Sequence, residues 1–261
     1  MVALIVYLSS TKLFVRYGGS KSFQFFSKAK FNFFFHFFFS MQTGILVQGE
    51  TGKNFYQRFK KDNIFIHSNF ITNDFLKRKN ERPLSNKLNV LLSTGPDYKR
   101  KGFLLVLDSI KNFEKKNQLN FLAVGCDSTV NREIKKRGLQ DYIKKYPTLN
   151  YEEMECIIEK SHILLLPSFS EGMPNLILES MAKGLVIIST RVGSIADVLV
   201  PHENGFFVDV GSSKQITKSL VAILENNNLE AISAKNINKI KNSYGENVIV
   251  PRLTNFFLER L

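Results

Sequence analysis

The sequence predicts an α/β protein built on doubly wound parallel sheets. Over the last two thirds of the chain, short apolar runs alternate with stretches of helical periodicity, and the runs are apolar throughout. Strands of that kind are buried on both faces, as in parallel sheets covered by helices. Such sheets bind ligands at the carboxyl ends of their strands. The predicted sites of chemistry are therefore the loops after Thr94, Gly125, Pro167 and Thr190.

The elements of this region follow from apolar spacing and helix-end signals. Gly138 and Gly184 stand just after helical runs, where glycine commonly ends a helix. Glu residues early and Lys160 late in the run at 151–160 suit the dipole of a helix. The predicted strands are 88–94, 119–125, 163–166, 185–190 and 205–208, and the predicted helices are 102–116, 131–137, 151–160, 174–183, 195–200 and 212–226.

The first third of the chain predicts only part of a second unit of the same kind. Strands are expected at 12–17, 44–48 and 63–67, with helices at 20–41 and 50–60. A doubly wound domain typically needs well over about 100 residues, so we expect this one to lack its beginning. The expected organisation is a partial Rossmann-like N-terminal domain over 1–76, a polar linker over 77–87 and a complete Rossmann-like C-terminal domain over 88–261. The last helix of the C-terminal domain, 246–260, is free to pack back on the N-terminal domain.

Composition and charge exclude several classes of protein. Apolar residues make up 44% and charged residues 23%, which excludes a disordered tail, a collagen-like fibre and a disulfide scaffold. Cys126 and Cys156 have no bridge or metal spacing and fit a reduced, cytosolic compartment. The formal charge of +13 raises the question of nucleic-acid binding. However, 13 basic against 4 acidic residues, a net of +9, lie in residues 1–85, and no recognised nucleic-acid motif accompanies them.

A phenylalanine-rich run at 31–39 has seven Phe in nine positions. A membrane-spanning helix needs about 20 apolar residues, and Asn32 and His36 interrupt this run. Two interpretations stay open. The run is either a core helix of an α/β layer or an interfacial helix, with Lys28 and Lys30 near anionic lipid.

The segment from Pro167 to Gly184 is the most informative part of the chain. Pro174 suits the first turn of a helix, because its missing N–H would be unpaired there anyway. Free backbone N–H groups at that helix start attract phosphate or sugar oxygens, and the Glu171 carboxylate can accept hydrogen bonds from sugar hydroxyls. Glu179 lies inside the helix, where spacing alone favours a solvated pair with Lys183.

The string from Glu171 to Glu179, with its loop, resembles the E-x7-E signature of retaining GT-B glycosyltransferases of family four. The other matching segments, in the family's order, are the strand ending at Gly95 with Lys101-Gly102, the turn at 193–197 and the Asn-Gly turn at 204–205. The resemblance covers about residues 69–261. It implies sugar transfer, with retention, from a UDP- or GDP-sugar to a lipid-linked or polysaccharide acceptor in cell-surface glycan synthesis, without a metal or other cofactor.

The resemblance also implies roles for individual residues. Glu171 would contact the donor sugar, and Lys101 would neutralise the diphosphate, whose charge grows as it leaves. Glu179 would hold the ribose hydroxyls. The family usually has Arg at the position of Pro96, so either Arg100 compensates or donor binding is weaker. The further donor-binding residues implied are Gly95, Arg100, Gly172, Met173, Pro174 and Asn175.

Several alternatives remain at the level of sequence. The run Lys99–Lys101 could be solvated charge without a phosphate role. The chain could be a non-catalytic remnant that binds nucleotide-sugar, or a subunit that needs a partner chain. A second GT-B class, such as a UDP-sugar epimerase, is a further alternative. The expected location is the cytoplasm, including the inner face of the membrane, where the basic first third would meet anionic lipid and a membrane-bound acceptor.

Overall fold

The computed structural model describes residues 14–17, 42–58, 62–77, 87–225 and 228–260. Their strands form two parallel sheets, one of three strands and one of six. The phenylalanine-rich run, the predicted helix over 20–41 and most of the predicted linker lie outside the described residues. Of the helices in the described ranges, none has both the length and the apolar content needed to cross a membrane.

The smaller sheet confirms the strands predicted in the first third of the chain. Strand β2 is buried throughout and lies between the other two strands, so it forms the centre of this sheet. The elements are β1 (Phe14–Tyr17), β2 (Gly44–Val47), α1 (Gly49–Tyr56) and β3 (Ile64–Ile66). A short helix, α2 (Asn73–Lys77), follows them. The sequence does not predict α2, because five residues are too few to show a helical period.

The larger sheet and its helices confirm the alternation predicted from residue 88 to 226, whereas the helix at Leu229–Ser243 is not predicted. The single helix predicted over 102–116 ends at Lys111, and a separate 3-10 turn follows at Glu114–Gln118. The elements are β4 (Leu88–Ser93), α3 (Phe103–Lys111), β5 (Leu119–Val124), α4 (Ser128–Lys136), β6 (Ile143–Tyr146), α5 (Tyr151–Glu159), β7 (Ile163–Leu166), α6 (Asn175–Ala182), β8 (Val186–Thr190), α7 (Ile195–Val198), β9 (Gly205–Val208), α8 (Ser213–Leu224), α9 (Leu229–Ser243) and α10 (Glu246–Leu258).

The strand order of the larger sheet places its ligand crevice. The order is β6-β5-β4-β7-β8-β9, and every pairing is parallel. The direction of winding reverses between β4 and β7, and such a switch point opens a crevice at the carboxyl ends of the two strands. The loops after β4 and β7 therefore flank that crevice.

Both faces of the larger sheet are covered, which explains why its strands are apolar throughout. In β4, Val90 and Leu92 belong to one hydrophobic core, while Leu91 between them belongs to the core on the opposite face. All three side chains are almost fully buried. Successive side chains of a strand point to opposite faces, so each face here needs an apolar residue.

Two elements show where the sequence pattern misleads. Strand β6 was not predicted, because Lys144 and Lys145 are exposed on an edge strand and make the segment look like a polar loop. Helix α4 begins three residues before its predicted start at 131. The Asp127 side chain accepts a hydrogen bond of 2.7 Å from the backbone N–H of Val130, which caps the helix at this earlier point.

Helix α10 returns to the smaller sheet. Its Phe256 packs against Leu46 and Phe65, with 4.8 Å between the ring centroids of Phe65 and Phe256. Just after the helix, Arg260 Nε donates a hydrogen bond of 3.1 Å to Asn63 Oδ1. The end of the chain therefore contacts the first third directly.

Candidate active site

The loops after β4 and β7 touch each other at the switch point. Gly102 has φ of 73°, and a Cβ atom at this position would overlap the backbone carbonyl of Pro167. Glycine alone combines this backbone conformation with so close an approach. The backbone N–H of Phe169 also donates a hydrogen bond of 2.8 Å to the carbonyl of Arg100. These contacts bring Arg100 to Glu171, the first residue of the signature.

Arg100 and Glu171 form an ion pair at the mouth of the crevice. Arg100 Nη1 lies 3.1 Å from Glu171 Oε1, and Arg100 Nε lies 3.2 Å from Asp97 Oδ2. Arg100 also donates to the carbonyl of Ser170. Burial disfavours the charged guanidinium, but the two carboxylates together raise the pKa of Arg100 above its usual value. Glu171 is only 13% exposed and accepts a 2.8 Å hydrogen bond from Ser168 Oγ, so its carboxylate is fixed in place.

Lys101 is a half-buried cation beside this pair. Its Nζ donates a hydrogen bond of 2.8 Å to Ser93 Oγ at the end of β4. Burial lowers the pKa of Lys101, and the nearby Arg100 lowers it further, whereas Glu171 acts in the opposite direction. Lys99 by contrast is exposed. The run Lys99–Lys101 is therefore not uniformly solvated, because the Lys101 side chain points toward Ser93 at the end of β4.

The loop from Glu171 to Asn175 rests on the turn after β8. Gly193 has φ of 58°, and a Cβ atom there would overlap the carbonyl oxygens of Glu171 and Gly172. The backbone N–H of Ser194 donates a hydrogen bond of 2.9 Å to the carbonyl of Gly172. Helix α6 begins at Asn175, so Pro174 occupies the N-cap, one residue before the predicted first turn. Met173, within the loop, is buried.

Glu179 and Lys183 do not form the solvated pair that their spacing favoured. Lys183 is only 2% exposed, and its Nζ lies 3.1 Å from Glu155 Oε1 and 2.8 Å from Glu159 Oε1. The same ammonium lies 4.5 Å from the ring centroid of Phe75 in α2. Glu179 is partly buried, and burial, with a smaller effect of Glu155, raises its pKa. Lys183 thus joins α6 to α5 and α2.

The structure brings most of the predicted site residues to one end of the larger sheet. Gly95, Arg100 and Lys101 lie in the loop after β4, and the stretch from Glu171 to Asn175 faces them across the crevice. Glu179 lies one turn into α6. Within the described ranges, no group of three or more His, Cys, Asp or Glu residues could hold a metal ion. Two cations beside one fixed carboxylate suit a ligand that carries both an anionic group and hydroxyls.

Asn69 is a further residue of the site that motif matching does not single out. It lies between β3 and α2, and its Nδ2 donates hydrogen bonds to the carbonyl of Met173 (3.0 Å) and to Asn175 Oδ1 (2.6 Å). More than 100 residues separate it from these partners. A lone Asn in a short connection carries no sequence signal for such a contact.

A model of the family described as glycosyl transferases group 1 matches residues 74–240. An uncharacterized glycosyltransferase of Haemophilus influenzae is 28% identical over 212 residues, which is 79% of this chain and 58% of that protein. The capsular polysaccharide biosynthesis glycosyltransferase CapM of Staphylococcus aureus is 21% identical over 196 residues, 74% of this chain and 47% of CapM. The chain thus spans about half the length of these relatives.

The fold is that of known GT-B structures. The crystal structure of Anabaena HepE in complex with UDP and glucose matches 96% of this chain and 72% of that chain with a TM-score of 0.77. At 12% sequence identity, this is a likeness of fold alone. The predicted GT-B class, with a Rossmann-like parallel sheet, is confirmed.

Proposed function

Since this chain belongs to the glycosyl transferases group 1 family, we propose that it transfers a sugar from a nucleotide-sugar to a glycan or lipid-linked acceptor. The observation that carries this proposal is the contact of Arg100 with Glu171 at the switch point, with Lys101 beside them. The cations suit a diphosphate. The carboxylate suits the hydroxyls of the sugar attached to it. We assign the donor side to residues 88–261, the acceptor side to 1–76 and the linker to 77–87.

In this proposal, Lys101 stabilises the leaving diphosphate. When the bond between the sugar C1 and the β-phosphate oxygen breaks, negative charge grows on the phosphate. A half-buried ammonium stabilises that charge more strongly than an exposed one, because water screens it less. Lys101 is already held by Ser93 Oγ, so little reorganisation is needed. The free N–H groups at the start of α6 add partial positive charge at the same crevice.

Arg100 takes the place of the arginine that the family usually has where this chain has Pro96. Proline offers neither a side-chain donor nor a backbone N–H to a phosphate. The Arg100 guanidinium is close enough to Lys101 to lower its pKa, so the two cations share one region. Two of its nitrogens contact carboxylates, and a diphosphate can compete for them.

Glu171 and its loop form the sugar site. Ser168 and Arg100 fix the Glu171 carboxylate, and hydroxyls of the sugar can donate to it. Gly95 leaves room for the phosphates, and the remaining contacts come from Gly172, Met173, Pro174 and Asn175. Retention follows if the diphosphate leaves and the acceptor attacks on one face of the sugar, without a covalent protein nucleophile.

Glu179→Gln is expected to weaken nucleotide binding by about tenfold to a hundredfold, because a charged acceptor for the ribose hydroxyls is lost. The same change is expected to stabilise the ligand-free protein at neutral pH. Burial raises the pKa of Glu179 in the folded state. Folding therefore disfavours its ionised form, and stability falls as the pH rises from the unfolded pKa through the folded pKa.

Calorimetry with UDP and GDP measures the first effect, and urea unfolding at about pH 3 and pH 7 measures the second. The stability gain should be absent at the lower pH, where Glu179 is protonated in both states. Glu152→Gln, an exposed change on α5, is the control. Unchanged nucleotide affinity in Glu179→Gln would remove Glu179 from the site.

The donor and acceptor classes are part of the proposal. CapM is described as a capsular polysaccharide enzyme, and HepE was solved with UDP and glucose. The first name supports a role in cell-surface glycan synthesis and the second supports a UDP-sugar, while a GDP-sugar is the other donor that we propose from the sequence resemblance. The unpaired state of Cys126 and Cys156 supports a cytoplasmic location. We propose that the chain meets a lipid-linked acceptor at the inner face of the membrane.

The test combines binding and turnover with a panel of UDP- and GDP-sugars, followed by mass spectrometry and NMR of the products. Binding with transfer to an added acceptor, and an unchanged anomeric configuration, is the expected result. Binding without turnover would favour a non-catalytic nucleotide-sugar-binding chain or one that needs a partner. An epimerised nucleotide-sugar as product would indicate an epimerase. No binding of any nucleotide would contradict the proposal.

A further inference from the structure

Asn69, which follows the last strand of the smaller sheet, forms hydrogen bonds to the loop from Glu171 to Asn175, called the sugar loop below. The carbonyl of Met173 can only accept, so the group of Asn69 that lies 3.0 Å from it must be the NH2 group. The same nitrogen has a second hydrogen, and it lies 2.6 Å from the Asn175 side chain. The Asn175 oxygen must therefore face Asn69. Gln48 Nε2, at 3.4 Å, donates to the remaining oxygen of Asn69.

This arrangement decides which atom Asn175 presents to a ligand. Its oxygen is engaged by Asn69, so its NH2 group faces the other way. Asn175 is exposed, and among the described residues its NH2 group has no hydrogen-bond partner. An exposed Asn side chain with no other partner can present either its oxygen or its NH2 group to a ligand. In this structure, the backbone carbonyl of Met173 fixes the orientation of the Asn69 amide, and the Asn69 amide in turn fixes the orientation of the Asn175 amide.

A second set of contacts joins the same two regions. Ser194 Oγ donates a hydrogen bond of 3.0 Å to the carbonyl of Gln48, and the backbone N–H of Glu50 donates one of 3.1 Å to Asp197 Oδ2. Ser194 also donates its backbone N–H to Gly172 in the sugar loop. The turn after β8 and the following helix α7 thus contact residues 48–50, and the sugar loop contacts Asn69. Asn69 is the member of this group that touches a proposed ligand-binding side chain.

We propose that Asn69 is a positioning residue that holds the sugar loop and fixes Asn175 as a hydrogen-bond donor toward the donor sugar. This inference rests on the proposed function for the identity of the ligand, but the hydrogen bonds of Asn69 to the loop do not depend on that identity. Asn69 lies outside both the E-x7-E string and the loop after β4. The first third of the chain thereby contributes to donor recognition as well as to acceptor binding.

The clamp is tested first in the ligand-free protein by hydrogen exchange. Asn69→Ala removes the two hydrogen bonds that Asn69 donates to Met173 and Asn175, and amide exchange over residues 171–176 is expected to accelerate about fivefold to tenfold. Asn73→Ala is the matched control. It removes an exposed Asn–Asn hydrogen bond of 2.9 Å to Asn247 without touching the sugar loop. Equal exchange in the two variants over these residues would overturn the clamp.

The positioning role is tested by comparing UDP with UDP-glucose in calorimetry, with GDP and GDP-mannose as the second pair. Asn69→Asp offers only oxygens, so Asn175 must turn its NH2 group toward residue 69 and present its oxygen to the sugar. We expect nucleotide-sugar affinity to fall about tenfold, and further than in Asn69→Ala, while nucleoside diphosphate affinity stays unchanged. An equal fall for both ligands would show a merely structural role. If the unaltered protein bound no nucleotide, the proposed function would fail while the exchange result would still decide the clamp.

Discussion

Lys101→Ala is expected to slow sugar transfer by about a hundredfold to a thousandfold, the usual effect of removing one group that stabilises charge in a transition state. The loss should fall mainly on kcat, because the charge on the diphosphate is greatest as the sugar leaves. The ammonium of Lys101 is half-buried and held at 2.8 Å by Ser93, so water cannot readily replace it. Steady-state kinetics with the preferred nucleotide-sugar measure the effect.

Lys99→Ala is the matched control for this prediction. Lys99 lies two residues away, carries the same charge and is exposed, with its Nζ 6.0 Å from the ring centroid of Tyr98. Lys99→Ala changes the net charge of the loop by the same amount as Lys101→Ala, but it leaves the half-buried ammonium of Lys101 in the crevice. A similar loss of kcat in both variants would mean that only the general positive charge of the loop matters.

Lys183→Met is expected to lower the free energy of unfolding by about 3–5 kcal/mol, because it leaves carboxylates buried without a counterion. The Glu155 side chain is only 4% exposed and that of Glu159 only 24%, so water solvates them poorly. The contact with the ring of Phe75 is lost as well. Since Lys183 joins the helix of the signature to α2 and α5, its loss should also loosen α6.

Urea unfolding measures this effect, and Lys235→Met is its control. Lys235 lies 4.0 Å from Glu203, with both side chains 55% exposed, and such surface pairs contribute at most about 1 kcal/mol. If Lys183→Met cost no more than Lys235→Met, the buried ion pairs would have no structural role. Glu155→Gln in the Lys183→Met background should restore part of the loss, since one unpaired charge is removed.

Much of this fold follows from local pattern. The strands of the larger sheet are apolar throughout because helices cover both faces, as the two cores on either side of Leu91 show. The sequence pattern does not predict an element or the burial of a residue where tertiary contacts determine it. The lysines of β6 hide an edge strand, and Lys183 looks like a surface residue although three helices bury it.

The candidate site likewise contains residues that the sequence predicts and residues that only the folded chain reveals. Glu171, Lys101 and Glu179 were predicted because they stand within short, ordered strings that resemble a family. Asn69 could not be found in this manner, because its partners lie over 100 residues away and only the folded chain brings them together. The ion pair of Arg100 with Glu171 depends likewise on the close approach of Gly102 to Pro167.

The central claim is that a diphosphate binds beside Lys101 at the switch point of the larger sheet. The most direct measurement is the affinity of UDP against UMP, and of GDP against GMP, by calorimetry. We predict that the diphosphate of the preferred base binds at least about tenfold tighter, that Lys101→Ala reduces this difference severalfold and that Glu171→Gln, which removes one carboxylate partner of Arg100 and leaves both cations in place, does not reduce it. Equal affinity for monophosphate and diphosphate in the unaltered protein, or a preference that is undiminished in Lys101→Ala, would contradict the account.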